Sequence, residues 1–285
     1  MIAQPAPGAR TGDESDEATA AANVQSLFNT IAPTYDRINH LLSFGLDRRW
    51  WNRTARTFSS VLKDPTAKIL DICCGTGDLT AALLTLRPNA GVAHSPTTKA
   101  GVAHSSRPHR DEWGTSEAKP TTSPGAVEPV TGLDFSPEML TRARTKYAAA
   151  NALWIEGDAM HLPFADATLD LVTAAFGFRN LTNYSQALAE IHRVLRPGGQ
   201  IGILECNHPE GLRGAFYNIY LHHVLPTIGG LVSGEPEAYR YLPASIARFP
   251  RPSQMLQMLA EAGFSTPAWD GYFLHAAGLY HARKA

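Results

Sequence analysis

KILDICCGTGDLT, residues Lys68 to Thr80, joins a short apolar run ending in an acid to a glycine-broken turn and then to a helical pattern. Ile69, Leu70 and Ile72 suit a parallel strand buried on both faces, and Asp71 sits at its carboxyl end. Gly75 and Gly77 let backbone come close to a ligand, although the same glycines also serve a bare bend. Open α/β sheets bind ligands at this strand edge. Thr80 stands where the dinucleotide fingerprint requires a third glycine, which disfavours a pyrophosphate cradle and so an NAD-binding domain. A ligand without phosphates fits better.

The D-x-x-x-G-x-G form of Asp71, Gly75 and Gly77 resembles the first motif of class I S-adenosylmethionine-dependent methyltransferases. Moving outward, Val130 to Asp134 (VTGLD) is the next strand, and Ser136, Pro137 and Glu138 give the following helix a cap, a first-turn proline and a dipole partner. In nucleotide-binding α/β folds an acid about 20 residues beyond the glycine turn holds ribose hydroxyls. Asp134 lies 57 residues beyond Gly77. Between them, Asn89 to Glu128 is rich in Pro, Ser, Thr, Gly and His, contains AGVAHS twice and has no hydrophobic period. Treating it as a low-complexity insertion restores the expected spacing. Asp134 otherwise reads as a surface acid at a strand end. His94, His104 and His109 have no thiol or carboxylate cluster beside them, so no metal site is expected.

Further strands follow at Leu153–Glu156, Leu169–Ala175 and Gln200–Glu205. GDAMHLPF places Asp158 at a strand end, either to receive an adenine amino group or to form a turn. FGFRNL brings Arg179 and Asn180 to the same edge on a loop. Tyr184–Leu195 is an amphipathic helix, Ser253–Ala262 a last helix, and Tyr272–Ala282 a closing strand-like run. Upstream, Val24 to Trp51 carries helical spacing broken by Pro33 and Gly45. Tyr35, Asp36 and Asn39 share one helical face there, either as a capping face or as a lid over the pocket. Leu212 to Val232 is an apolar and aromatic stripe that serves as core or as the wall of a substrate channel. His222 and His223 point to different helix faces and do not form a metal pair.

The chain has 285 residues, 44% of them hydrophobic, which supports one large α/β domain. A net charge of −1 offers no basic field for nucleic acid. Cys73 and Cys74 are adjacent, so neither an ordinary disulfide nor a C-x-x-C clasp forms, and they are expected to pack as small apolar residues. No run reaches the length of a membrane span, and residues 1–22 are acid-rich and read as a disordered tail, so a cytoplasmic protein is expected.

Joint motifs make the resemblance specific. YDRINHLLS (Tyr35–Ser43), FGFRNLTNY (Phe176–Tyr184), RVLRPGGQIGILECN (Arg193–Asn207) and YLPASIARFP (Tyr241–Pro250) occur in order, and the chain from Val24 to about Arg283 resembles the UbiE/MenG/COQ5 family of quinone-biosynthesis C-methyltransferases. Asp47 stands where that pattern usually has His, and Ala175 where it often has Ser. The resemblance implies a Rossmann-like, mostly parallel seven-stranded sheet flanked by helices, an N-terminal helical lid over about 23–60, and S-adenosylmethionine as cofactor. It implies cofactor contacts at Asp71, Gly75, Thr76, Gly77, Asp134, Asp158 and Ala159.

It also implies methyl transfer to a ring carbon of a prenylated quinol, demethylmenaquinol in menaquinone biosynthesis or a ubiquinol precursor. Loss of a phenolic proton pushes electron density onto the ortho carbon, so the reduced quinol is the expected substrate. Arg179 is expected as a fixed cation beside the phenolate, or alternatively as a structural salt bridge. Asn180 is expected to orient the substrate, Asp36 or a water held by Arg179 to accept the proton, and Tyr35 with Asn39 to close the lid. A membrane-resident substrate implies transient peripheral contact with the bilayer, for which Leu212 to Val232 is the candidate stretch, and a homodimer stays open. Competing readings are methylation of another small acceptor and a non-catalytic S-adenosylmethionine-binding module.

Overall fold

The computed structural model describes residues 8, 17–33, 35, 36, 40, 43, 45–88, 126–207 and 236–285. Asn39, the histidines of the insertion, and residues 212–232 with His222 and His223 lie outside the described residues. The described elements run α1 (Glu17–Ile31), α2 (Asp47–Thr57), α3 (Ser59–Leu62), β1 (Ile69–Ile72), α4 (Asp78–Leu84), β2 (Val130–Asp134), α5 (Pro137–Lys146), β3 (Ala152–Glu156) and β4 (Leu169–Ala175). They continue as α6 (Tyr184–Val194), β5 (Leu195–Cys206), α7 (Pro236–Arg248), α8 (Pro252–Glu261), β6 (Phe264–Tyr272) and β7 (Ala277–Lys284).

The seven strands form one sheet in the order β3-β2-β1-β4-β5-β7-β6. β1 to β5 are parallel, and β7 runs antiparallel to both β5 and β6. All four residues of β1 are buried, as a central strand covered on both faces requires. On one face Leu188 and Ile191 of α6 and Met255 and Leu259 of α8 join the core. On the other, Ala55 of α2, Phe58, Leu62 of α3 and Leu79 and Leu83 of α4 do so. The strand order reverses direction at β1 and β4, where a crevice opens at the carboxyl edge.

Two expectations change. The run Tyr272–Ala282 divides at Tyr272, which ends β6, and β7 begins at Ala277. β6 escapes period-2 reading because Pro267 interrupts FSTPAWDGY, Thr266 has a φ of 50°, and the register slips between Ser265 and Ala268. It pairs only with β7, and an edge strand tolerates proline. The tail expected over 1–22 overlaps α1, which begins at Glu17. Ala20 and Val24 are buried, so this helix docks on the body despite the acidic composition before it.

The ends of the insertion are fastened at one point. The Arg87 guanidinium donates to the carbonyl oxygens of Leu62, Asp64, Pro65, Ala67 and Glu128 at 2.6–3.3 Å. The Glu128 N–H donates to the Pro65 carbonyl at 2.8 Å. β2 therefore starts in register with β1 at Val130, opposite Ile69.

Candidate active site

At the carboxyl end of β1 the chain turns through Cys73 and Gly75, with φ of 50° and 54°. Gly75 borders open space, its nearest neighbour on the missing side-chain side being Tyr35 at 4.0 Å. At Gly77 a Cβ would meet the Trp154 ring at 2.4 Å and the backbone has a φ of 88°, so helix–strand packing and the turn itself both demand glycine there.

Asp71 is wholly buried, and its carboxylate accepts hydrogen bonds from the Thr80 and Thr173 hydroxyls at 2.6 and 2.8 Å. Burial pushes its pKa up to about 7 against those two donors. Thr80, read as the missing third glycine, is thus a ligand of the strand-end acid. Asp134 accepts from the Gly75 N–H at 2.8 Å and the Ser136 N–H at 2.9 Å, which ties the ends of β1 and β2 together. Burial raises its pKa to about 6. Ser136 caps α5 through the Met139 N–H, as its position predicts.

Two cavities adjoin this turn. The first, of about 60 Å³, is lined by Gly75, Asp134, Asp158, Ala159 and Asn180, with Ala21, Val24 and Phe28 of α1 across it. The second, of about 540 Å³, is lined by Asp36, His40, Arg48, Asp71, Thr76, Asp78, Lys146 and Ala175. Tyr35, Cys73, Gly75 and Phe176 border both. Asp158 is half exposed, and its oxygens engage the Met160 N–H at 2.9 Å and His161 Nδ1 at 2.8 Å, so the turn-forming role is filled by the same carboxylate that faces the cavity.

Asp36 is committed to a charge cluster beside the turn. It accepts from the Thr76 hydroxyl at 2.6 Å and Lys146 Nζ at 2.7 Å, and Lys146 also bonds Asp78 at 2.8 Å. Thr76 and Lys146 thereby join the segment before α2 to α4 and α5. Asp47 is buried and pairs with His40 Nδ1 at 2.6 Å while accepting from the Arg48 N–H at 2.8 Å. The departure at position 47 is thus filled by an acid with its own histidine partner.

Asn180 reaches the first cavity on the turn Phe178–Asn180, and its amide oxygen accepts from the Tyr241 hydroxyl at 3.0 Å. Arg179 does not accompany it: among the described residues it borders neither cavity. Its guanidinium is buried against Glu205 Oε1 at 2.7 Å, Ser245 Oγ at 3.2 Å and the Phe176 carbonyl. The Arg179 N–H also donates to Glu205 Oε2 at 3.1 Å. Burial opposes the charge, but Glu205 and neighbouring groups hold the guanidinium above its ordinary pKa. Glu205 closes β5, so a cation left facing an apolar cavity would abandon a buried carboxylate; the pair forms instead.

Tyr241 and Ser245, unassigned from sequence, lie four apart on α7 and present one face to Asn180 and Arg179. That spacing inside YLPASIARFP was the available signal. Among the described residues no helix is long and apolar enough to cross a membrane.

A seven-stranded sheet with an antiparallel penultimate strand, acid-ended first and second strands and a glycine turn facing the switch point defines a class I methyltransferase fold of the S-adenosylmethionine-dependent type. A solved S-adenosylmethionine-dependent methyltransferase from Thermotoga maritima shares this fold, with a TM-score of 0.54, 16% identity and coverage of 92% of this chain and all of that one. The model of the ubiE/COQ5 methyltransferase family matches residues 15–283, and the chain belongs to that family. The demethylmenaquinone methyltransferase of Deinococcus radiodurans is 40% identical over 259 residues, 90% of this chain and 89% of that protein. The protein of the same name from Thermus thermophilus is 42% identical, covering 84% of this chain and 91% of its own length.

Proposed function

We propose that this protein methylates a ring carbon of reduced demethylmenaquinol, with S-adenosylmethionine as the cofactor. The observation that carries the reading is near full-length similarity to demethylmenaquinone methyltransferases, at 40% and 42% identity. Residues around the glycine turn, which borders both cavities, suit the cofactor. Asp134 keeps lone pairs for ribose hydroxyls, Asp158 and the Ala159 region suit adenine, and Gly75 leaves the backbone approachable. When bound, the cofactor supplies a methyl group activated on a sulfonium.

The chain's own work is positioning and proton handling. Tyr35 and α1 cover the site and exclude water. Asn180, oriented by Tyr241, donates from its amide to the quinol oxygen as phenolate charge develops. Arg179 holds the FGFRN turn in place through Glu205 and the Phe176 carbonyl, a positioning role rather than a direct contact. Asp36 is engaged by Lys146 and Thr76 and borders the second cavity rather than the first, so it is not assigned as the proton acceptor. A prenylated substrate resides in the bilayer, so the protein works at its surface.

The test is transfer of labelled methyl from S-adenosylmethionine to reduced demethylmenaquinol and to a reduced ubiquinol precursor in detergent, each with its oxidised form alongside. Labelling of reduced demethylmenaquinol alone is the expected result. Labelling of the ubiquinol precursor alone, or of neither, would replace this reading with one of its competitors.

A further inference from the structure

Phe273 and Leu274 stand side by side at the tip between β6 and β7, 56% and 58% exposed. Phe273, Leu274 and His275 have φ of 36°, 55° and 71°, three left-handed residues in succession without a glycine. Such backbone is held at a cost, and it is concentrated at functional surfaces. β7 opens at Ala277, opposite Cys206 at the end of β5. The tip therefore projects from the carboxyl edge of the parallel strands, the edge that carries Asp71, Asp134 and Asn180.

Beside the tip lies α2, DRRWWNRTART. Arg49, Arg53 and Arg56 recur at helical spacing on one stripe and are exposed. Among the described residues none of the three is ion-paired. The Arg53 guanidinium sits 4.3 Å from the centroid of the Tyr272 ring, the residue that precedes the tip, which fixes the stripe next to Phe273. The nearby acid Asp270 faces His281 at 3.4 Å across the β6–β7 pair. A cationic stripe thus adjoins two exposed apolar side chains on a chain whose net charge is only −1.

We propose that this surface docks the protein on an anionic bilayer, with Phe273 and Leu274 entering the interface and Arg49, Arg53 and Arg56 meeting lipid phosphates. Guanidinium groups suit phosphate geometry, and an apolar tip with a basic flank is the combination that holds a protein reversibly at a charged lipid surface. Docking this way turns the ligand edge of the sheet toward the membrane. The proposal rests on the quinol reading, since a membrane-resident substrate is what gives that orientation a use.

Flotation of the full chain with vesicles of equal phosphatidylglycerol and phosphatidylcholine, against phosphatidylcholine alone, tests it. Wild type is expected to float with the anionic vesicles and to detach as salt rises. Phe273→Ser/Leu274→Ser should weaken binding by at least about tenfold. Arg49→Gln/Arg56→Gln should weaken it roughly fivefold per arginine and erase the preference for anionic lipid. Both variants should keep wild-type turnover on a short-tailed, water-soluble quinol. The arginine variant alters only exposed side chains and decides the matter if the tip variant misfolds. Absence of wild-type flotation, or variants that float like wild type, would overturn the proposal. So would a tip variant that converts a dimer to a monomer in light scattering while vesicle binding persists, since the patch would then belong to a second copy. If no quinol is methylated in detergent, the substrate reading fails by itself; methylation in detergent without vesicle binding removes only the docking surface.

Discussion

The two halves of the site bury their acids differently. At the ends of β1 and β2, Asp71 and Asp134 are surrounded by neutral donors, hydroxyls for one and backbone N–H groups for the other, and burial lifts them to about 7 and about 6. At the end of β5, Glu205 is equally buried but meets a guanidinium, the Arg179 N–H and the Cys206 N–H. An acid matched by a cation inside the protein is already satisfied and acts as scaffold. An acid matched only by neutral donors still gains from further donors, and a ribose brings two. On the proposed reading the first half binds the cofactor and the second holds Asn180 still.

That contrast breaks most visibly at Glu205. Glu205→Gln leaves the Arg179 charge buried without its partner and should cost about 3–5 kcal/mol in urea denaturation; a loss below about 1 kcal/mol would mean the pair is not a scaffold. Asn180→Ala should come next, lowering kcat about 10²–10³-fold while calorimetry finds cofactor-product affinity unchanged. A parallel fall in affinity would move Asn180 into the binding half. Asp134→Asn should weaken that affinity about 10- to 100-fold. Wild-type affinity should tighten as pH rises through about 6, where the Asp134 carboxylate ionises. The last prediction is a slope, small within any one pH unit. Asp71 is raised from 3.8 to about 7, so its contribution to stability is fully present below pH 3.8 and is lost as pH rises through 7. Wild type should lose on the order of 1 kcal/mol per pH unit inside that window, and Asp71→Asn should flatten the curve. An unchanged slope in the variant would show that Asp71 is not the titrating group.

The binding half was legible in sequence because its partners are encoded by position along strands: an apolar run names its own carboxyl end, and Asp71 and Asp134 occupy two such ends. Ser136 announced its cap for the same local reason. The holding half was not, because Arg179, Glu205, Tyr241 and Ser245 meet only through the sheet order and α7. Loop position brought Arg179 to the right edge, but the direction of its side chain depended on a carboxylate 26 residues later. One of the demands for glycine at 77, the Trp154 ring, was hidden because it comes from β3. β6 was hidden by a bulge and a proline that only an edge strand accepts.

The Arg87 clamp has a mechanical consequence. Residue 87 precedes the stretch 89–125 and Glu128 follows it, and both are moored to the loop between α3 and β1. A pull on the inserted chain from either end is therefore borne by one guanidinium and a ring of carbonyls. The parallel ladder that aligns Asp71 with Gly132, one residue from Asp134's neighbour Leu133, lies outside that load path.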